Sequence, residues 1–138
     1  MTAEPQVTFV GVAHPWMCDT NGHVNVRHFM AFFDDASFQL LAAIAGDGDE
    51  TLGWADVRTQ ITYRHEIAPG TGLTILSRVT RVGRTSITYS HRLTGSVDKV
   101  LRAEAETVTV RFDLVARKAI ELEADARERA EALIVQEA

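Results

Sequence analysis

The apolar residues of this chain recur with two different periods. Between residues 26 and 45 they return every three or four positions, which predicts an α-helix, and Gly46 is placed to end it. The predicted helix is apolar on nearly every side, so we expect it to be buried. It is long enough to span about 30 Å. A small domain can bury such a helix only by wrapping a sheet around it.

Alternation of apolar and polar residues, typical of β-strands, fills most of the remaining chain. Turn residues divide it into one short strand before the helix and a run of strands after it. In the last strand the apolar positions change phase between Ala105 and Val108, which predicts a β-bulge. The predicted strands cover residues 7–11, 57–67, 73–82, 85–93 and 100–115, and a surface helix is predicted at 124–136.

This order of elements predicts the fold class. A single helix followed by consecutive strands is typical of α+β proteins with an antiparallel sheet. We therefore expect one domain over residues 1–138, with a curled sheet wrapped around one long central helix and a short C-terminal helix. Such a sheet has an unpaired edge strand, which favours assembly into a homodimer or homotetramer.

Composition narrows the class of protein. With 46% hydrophobic and 24% charged residues the chain is typical of soluble globular proteins. The net charge of −5 argues against a nucleic-acid-binding protein, and no apolar run is long enough for a signal peptide or a membrane span. A single cysteine, Cys18, excludes an internal disulfide framework. A cytoplasmic protein is the expectation.

The stretch 18–26 carries most of the candidate chemistry. It places a thiol, a carboxylate, an imidazole and two amides immediately before the predicted helix. Asn25 is a favourable N-cap, and the unpaired N–H groups of the first helical turn form a site for negative charge. Asp19 and His23 would then lie beside an oxyanion pocket, an arrangement suited to attack of water on an activated carbonyl.

The pattern Asp19-x-x-Gly22-His23-Val24-Asn25, with Phe29 four residues after the asparagine, resembles a known family. It is similar to the hotdog-fold acyl-CoA thioesterases of the 4-hydroxybenzoyl-CoA thioesterase type, and the resemblance extends over roughly residues 7–129. The chain differs from many members at two positions: it has Val26 where they have Asn, and Phe29 where they have Tyr. Further landmarks are Phe32-Phe33-Asp34-Asp35-Ala36, Ile61-Thr62-Tyr63, Pro69-Gly70, Val82-Gly83-Arg84-Thr85-Ser86 and Asp113.

The resemblance implies hydrolysis of an acyl-CoA to a carboxylic acid and free CoA, in a site shared between protomers. Asp19 would attack the thioester or activate the water that does so. The backbone N–H of Val26 would stabilise the oxyanion, and a backbone donor tolerates the change of side chain at that position. His23 and Asn25 would position reacting groups. Without the resemblance, Asp19 is a turn residue, and His23 and Asn25 are capping residues.

Two groups of residues are candidates for binding the substrate. Trp16 would form an aromatic acyl pocket with Phe32, Phe33 and Trp54 if these side chains converge, and Asp34 is either a second site carboxylate or a structural one. Such a pocket suits an aryl acyl group or, by cation–π contact, a cationic one. The sequence around Trp16 and Asn25 also resembles the betainyl-CoA thioesterase branch.

A basic run is the second candidate for substrate binding. Between residues 67 and 103 the only acid is Asp98. The run is either a solvated strand face or a patch for the phosphates of CoA. Within this run, we expect CoA to be bound by Arg81, Arg84 and Arg92.

Other functions compete with hydrolysis. A hotdog-fold enoyl-CoA hydratase or dehydratase also pairs an acid with a histidine, and a non-catalytic acyl-CoA-binding module would use the same fold. Cys18 with His14 is conceivable as a nucleophile, but neighbours on a strand face opposite ways, so Cys18 and Asp19 should not share a site. The five histidines show no zinc spacing, and we expect neither a metal nor an organic cofactor.

Overall fold

The computed structural model describes residues 3–135 and has the predicted α+β architecture. Five long antiparallel strands form a sheet in the order β1-β3-β4-β5-β2, and a sixth short strand, β6, pairs with β5. A 3-10 turn, Pro15–Met17, precedes the first helix. The elements are β1 (Gln6–Val12), α1 (Val26–Ala45), β2 (Leu52–Tyr63), β3 (Gly72–Val82), β4 (Ser86–Gly95), β5 (Leu101–Asp113), β6 (Lys118–Ala119) and α2 (Ala124–Ala132).

The helix α1 is buried on one side only. Its inner face packs on β1, β3 and α2 and buries Phe29, Phe32, Phe33, Ala36, Ser37, Leu40, Leu41 and Ile44. The prediction of a helix buried nearly all round is therefore wrong for the single chain. Val26 is 56% exposed and Phe38 68% exposed, because the sheet curls around one side of α1 and leaves the opposite side uncovered. This exposed apolar face lies where α1 borders the edge strand β2.

The strand β2 begins at Leu52, five residues before the predicted start, and it ends at Tyr63. Its alternation between residues 58 and 63 agrees with the prediction. The irregularity of the β2–β5 pair lies at Val57, since Asp56 pairs with Thr109 and Arg58 with Val108. The bulge predicted in the last strand is thus found in its partner, directly across from the predicted place.

The last long strand, β5, has a bulge at Arg102, since Leu93 pairs with Ala103 and Thr94 with Leu101, and it keeps a single phase from Ala103 onward. Its inward positions change from alanine to polar residues, with Thr107, Thr109 and Arg111 all buried, so the apolar pattern shifts although the backbone does not. Arg111 is 2% exposed, and its guanidinium donates to both Glu123 oxygens at 2.8 and 2.9 Å. This paired charge lies 4.4 Å from the centre of the Trp54 ring. With a third hydrogen bond, from Nη1 to the Gly53 carbonyl at 3.2 Å, and the cation–π contact, these interactions offset the cost of burying the arginine.

The C-terminal helix α2 is shorter than predicted and less exposed. It ends at Ala132, and Ala126 and Ala130 are fully buried against α1 and β3. From α2, Arg129 donates to the carbonyl groups of Ile44 and Ala45 at 2.6 and 2.9 Å. A cation at these unpaired carbonyl groups stabilises the end of α1. Between residues 3 and 135 no helix is long and apolar enough to cross a bilayer.

Candidate active site

A tight loop holds Asp19 at the entry to α1. A β-bridge between Cys18 and Val24 closes the loop, and the N–H of Asp19 donates to the carbonyl of His23 at 3.1 Å. Gly22 donates to the carbonyl of Asp19 at 3.0 Å and has a φ of 80°, a conformation that favours glycine. The spacing of Asp19, Gly22 and His23 in the motif therefore follows from the geometry of the loop.

Two donors fix the carboxylate of Asp19. The N–H of Asn21 donates to Oδ1 at 2.8 Å, and the side-chain amide of Asn25 donates to Oδ2 at 3.1 Å. The other end of the Asn25 amide accepts from the N–H of Arg27 at 3.0 Å, so Asn25 is the predicted N-cap of α1. One side chain thus connects the start of the helix to the candidate catalytic acid, while each oxygen of Asp19 keeps a free lone pair.

The first turn of α1 has an unpaired donor beside this loop. The N–H of Arg27 is capped by the Asn25 side chain, and the N–H of His28 donates to the Asn25 carbonyl. Among residues 3–135 the N–H of Val26 has no acceptor. An unpaired N–H at the positive end of a helix is a suitable donor to an oxyanion.

The imidazole of His23 faces away from Asp19. Its Nε2 lies 3.1 Å from Oε2 of Glu66, which follows β2. These two residues line a cavity of 270 Å³ at the first turns of α1, and the rings of Phe29 and Tyr63 meet edge to face in its wall at 5.1 Å. No direct side-chain bond joins His23 to Asp19 in the described part of the chain. His23 therefore belongs to the cavity wall, where it can meet a bound substrate.

A second cavity, of 410 Å³, lies further along α1 and also borders β2. Because β2 runs antiparallel to α1, Tyr63 lies near the start of the helix and Trp54 near its end. The two cavities therefore lie at opposite ends of the border between α1 and the edge strand. The second cavity is lined by Asp34, Ser37, Phe38, Leu41, Ala42, Ala45, Gly53, Trp54 and Asp56.

The predicted aromatic pocket does not form within the chain. Trp16 is 70% exposed, stacks on His14 and meets the edge of His28. Phe32 and Phe33 are buried in the core. Trp54 and Asp34 instead line the 410 Å³ cavity together. The four aromatic residues diverge because they lie on different faces of three different elements.

The fold brings carboxylates next to two arginines of the basic run. Arg84 donates to Glu121 at 3.1 Å and Arg92 to Glu104 at 2.7 Å. Glu104 also accepts from Arg64, which lines the cavity beside His23. A stretch whose only acid in the sequence is Asp98 thus receives carboxylates from β5 and from the segment between β6 and α2. Arg81 is exposed on β3, and the three nominated arginines do not converge on the Asp19 loop.

Sequence reasoning missed the segment that completes the first cavity. Tyr63, Arg64, His65 and Glu66 follow one another at the end of β2 and line the cavity together with His23. Their signal was available as a polar cluster at the end of a strand, just before the turn at Pro69. Such positions carry binding groups more often than strand interiors do.

A buried polar chain crosses the core beneath the second cavity. Ser37, which lines this cavity, contacts Nε2 of His91 at 2.9 Å, and Nδ1 of His91 contacts Ser77. Ser77 in turn contacts Thr8 at 2.6 Å. Burial lowers the pKa of His91 from 6.5 to about 4. His91 is therefore a neutral imidazole at physiological pH, with both ring nitrogens in hydrogen bonds.

Comparisons with solved structures show that this fold is shared. The probable thioesterase YbaW of Escherichia coli is 22% identical, with a TM-score of 0.78 over 94% of this chain and 99% of that chain. The 1,4-dihydroxy-2-naphthoyl-CoA thioesterase Slr0204 of Synechocystis is 16% identical, with a TM-score of 0.78 over 92% and 96%. SAV2348 of Staphylococcus aureus, solved in complex with CoA, is 14% identical, with a TM-score of 0.85 over 97% and 88%.

Sequence comparison assigns the family. None of the curated proteins matches the chain. The family model of the thioesterase-like superfamily, in contrast, matches residues 13–130, a range that includes the Asp19 loop, both cavities and most of α2. The resemblance inferred from the motif is thereby confirmed at the level of the family. This chain belongs to the thioesterase-like superfamily and has the fold of its hotdog thioesterases.

Proposed function

We propose that this protein hydrolyses acyl-CoA thioesters at the start of α1, with Asp19 as the general base or nucleophile. The observation that carries the proposal is the arrangement of Asp19, Asn25 and Val26. A carboxylate fixed by two donors lies in the same loop as an unpaired helix N–H. Membership of the thioesterase-like superfamily and the fold shared with a CoA-bound structure support the choice of substrate.

The chemistry follows from these groups. As a base, Asp19 takes a proton from water while the water oxygen attacks the thioester carbon. The carbonyl oxygen becomes negative and accepts from the Val26 N–H, and such a donor contributes about 3 kcal/mol to transition-state stabilisation. Collapse of the intermediate breaks the carbon–sulfur bond and yields a carboxylic acid and the CoA thiolate, which takes up a proton. His23, oriented by Glu66 in the cavity wall, is the proposed positioning group for the substrate.

Product analysis separates this proposal from its rivals. The purified protein is incubated with saturated and with α,β-unsaturated acyl-CoAs, and the products are identified by mass spectrometry. Hydrolysis gives a free acid and CoA from both kinds of substrate. Accumulation of a hydrated acyl-CoA with the thioester intact would assign a hydratase, and binding without turnover would assign an acyl-CoA-binding module.

Replacement of Asn25 tests whether its side chain only caps α1 or also positions Asp19 for catalysis. Serine can still accept from the Arg27 N–H but has no amide to hold Asp19. We expect Asn25→Ser to keep the free energy of unfolding and to lower kcat about tenfold, the size of one hydrogen bond to a charged group. Asn25→Ala should show the same loss of kcat and also lose about 1 kcal/mol of stability. If both variants keep the wild-type kcat, Asn25 is only a cap.

We propose that Arg81, Arg84 and Arg92 bind the phosphates of CoA. All three side chains are exposed, and two of them have carboxylate partners that are themselves partly exposed. Exposed ion pairs of this kind are weak, so they can be exchanged for a phosphate. Arg64, which shares Glu104 with Arg92 and lines the first cavity, joins this group of candidates.

We propose further that the working form is a homodimer or homotetramer built on β2. β2 pairs with β5 on one side, its other edge has no partner strand within residues 3–135, and it lies beside the exposed apolar face of α1. Light scattering at micromolar concentration should give a dimer or a tetramer. Val57→Glu, on β2, should weaken the assembly at least tenfold, since a carboxylate would be buried in the interface. Val10→Glu, equally exposed on the opposite edge strand β1, is the matched control, and a monomeric wild-type protein would contradict the proposal.

A further inference from the structure

The 270 Å³ cavity at the start of α1 contains the residue proposed as the oxyanion donor. Val26, whose N–H has no acceptor within residues 3–135, lines this cavity together with His23 and Tyr63. A negative oxygen can accept more than one hydrogen bond, and enzymes of acyl transfer combine backbone N–H groups with side-chain donors around it. The polar side chains of the same cavity are therefore the candidates for a second donor.

Two of these side chains already have carboxylate partners. Nε2 of His23 lies 3.1 Å from Oε2 of Glu66. The guanidinium of Arg64 donates to Glu104 through Nε at 3.2 Å and through Nη2 at 3.0 Å. The hydroxyl of Tyr63, in contrast, forms no hydrogen bond within residues 3–135. Tyr63 is 49% exposed, so its O–H can donate to a bound ligand without first leaving a protein partner.

A ring contact holds Tyr63 against the first turns of α1. The rings of Tyr63 and Phe29 meet edge to face, with their centres 5.1 Å apart and their planes at 82°. Phe29 is buried and follows Val26 by three residues, and residues at this spacing are neighbours on one face of a helix. The phenol of Tyr63 thus packs on the helix face that carries Val26. A ring fixed in this way is a preorganised donor, which is what stabilisation of a transient charge requires.

We infer that Tyr63 is a second oxyanion donor, whose hydroxyl donates to the thioester oxygen together with the N–H of Val26. The inference rests on the proposed thioesterase activity and adds a catalytic residue from the end of β2 to a site otherwise formed by the Asp19 loop and α1. The phenol keeps its proton throughout. Its hydrogen bond strengthens while the oxygen is negative and weakens when the carbon–sulfur bond breaks and the carbonyl forms again.

Tyr63→Phe tests this role, because the variant loses the hydroxyl and keeps the ring on Phe29. We expect kcat to fall about 10²-fold, the usual loss for one oxyanion donor, with little change in KM. Thr62→Val is the matched control. It removes a hydroxyl from the next residue of β2, which faces the opposite side of the strand and lines a separate cavity with Gln60 and Ser90. This control should keep the wild-type kcat, and light scattering checks that both variants assemble as the wild type does.

Binding of two unreactive CoA analogues gives a second readout that does not depend on turnover. One is a trifluoromethyl ketone, whose carbonyl carbon adds water and becomes tetrahedral with a partly negative oxygen. The other is an alkyl thioether of CoA, which has no carbonyl oxygen. By calorimetry, Tyr63→Phe should weaken binding of the ketone about tenfold, the size of one hydrogen bond to a charged group, and leave the Kd of the thioether unchanged.

The possible results separate this inference from the function on which it rests. An unchanged kcat in Tyr63→Phe, or an equal loss of affinity for both analogues, would overturn the role of Tyr63 and leave the thioesterase proposal intact. A loss of kcat shared by Thr62→Val, or accompanied by loss of assembly, would also overturn it. A wild-type protein that hydrolyses no acyl-CoA would instead refute the proposed function.

Discussion

Asp19→Asn should lower kcat for thioester hydrolysis by about 10²–10⁴-fold, the usual contribution of a general base. Asparagine has the same shape and can still accept from the Asn21 N–H, so the loop before α1 should keep its conformation. It has no carboxylate to accept a proton from water or to attack the thioester. The measurement is the steady-state rate of CoA release by wild type and variant on the same substrate, with circular dichroism to check the fold.

Cys18→Ser is the matched control for this loss of activity. Cys18 precedes Asp19 in the chain but packs partly buried against the core, so its thiol is not expected to take part in catalysis. The variant should keep most of the wild-type activity. An Asp19→Asn protein within threefold of wild type would remove Asp19 from the mechanism. A folded but inactive Cys18→Ser protein would indicate a thiolate nucleophile in its place.

The second large effect concerns stability at acidic pH. The pKa of His91 is about 4 in the folded protein because burial disfavours the charged ring, against 6.5 in the unfolded chain. The unfolded chain therefore takes up its proton first as the pH falls. The contribution of the neutral His91 is fully present above pH 6.5 and is lost as the pH falls from 6.5 towards 4. The free energy of unfolding should decrease by about 3 kcal/mol over this interval from His91 alone.

Urea unfolding at a series of pH values measures this dependence. His91→Gln removes the titrating ring, so the difference between wild type and variant isolates the contribution of His91 from that of the carboxylates. His14→Gln, at an exposed histidine, is the matched control for the loss of a histidine side chain. If His91→Gln does not fold, proton NMR of the wild-type imidazole gives the pKa directly. A His91 pKa near 6.5 in the folded protein would contradict the account.

The sequence alone predicts the elements correctly where a segment has one buried face and one exposed face. The alternation along β3 and β4 and the stripe on α1 are produced by one buried face each, and these elements match their predicted places. Near Val108 the residues at the inward positions change from apolar to polar, but the backbone keeps its alternation. Arg111 and Thr107 face inward because Glu123 and Thr59 pair with them, and partners distant in sequence cannot be read from a local pattern.

The candidate site, too, could be predicted only in part from the sequence. Asp19, Asn25 and the start of α1 are adjacent in sequence, so the loop and its cap were predictable. The pairing of Glu66 with His23, and the meeting of Asp34 with Asp56 in one cavity, depend on where β2 lies relative to α1 in the fold. The acidic partners of the basic run were missed for the same reason, since Glu104 lies on β5 and Glu121 between β6 and α2.

The most direct test of the central claim is the release of CoA thiol by the wild-type protein. Catalytic amounts of the purified protein are incubated with a panel of acyl-CoAs, and free thiol is measured over time against a protein-free control. The account predicts steady release over many turnovers with at least one member of the panel, well above the control rate. A folded protein that binds acyl-CoA yet releases no thiol from any member would contradict it.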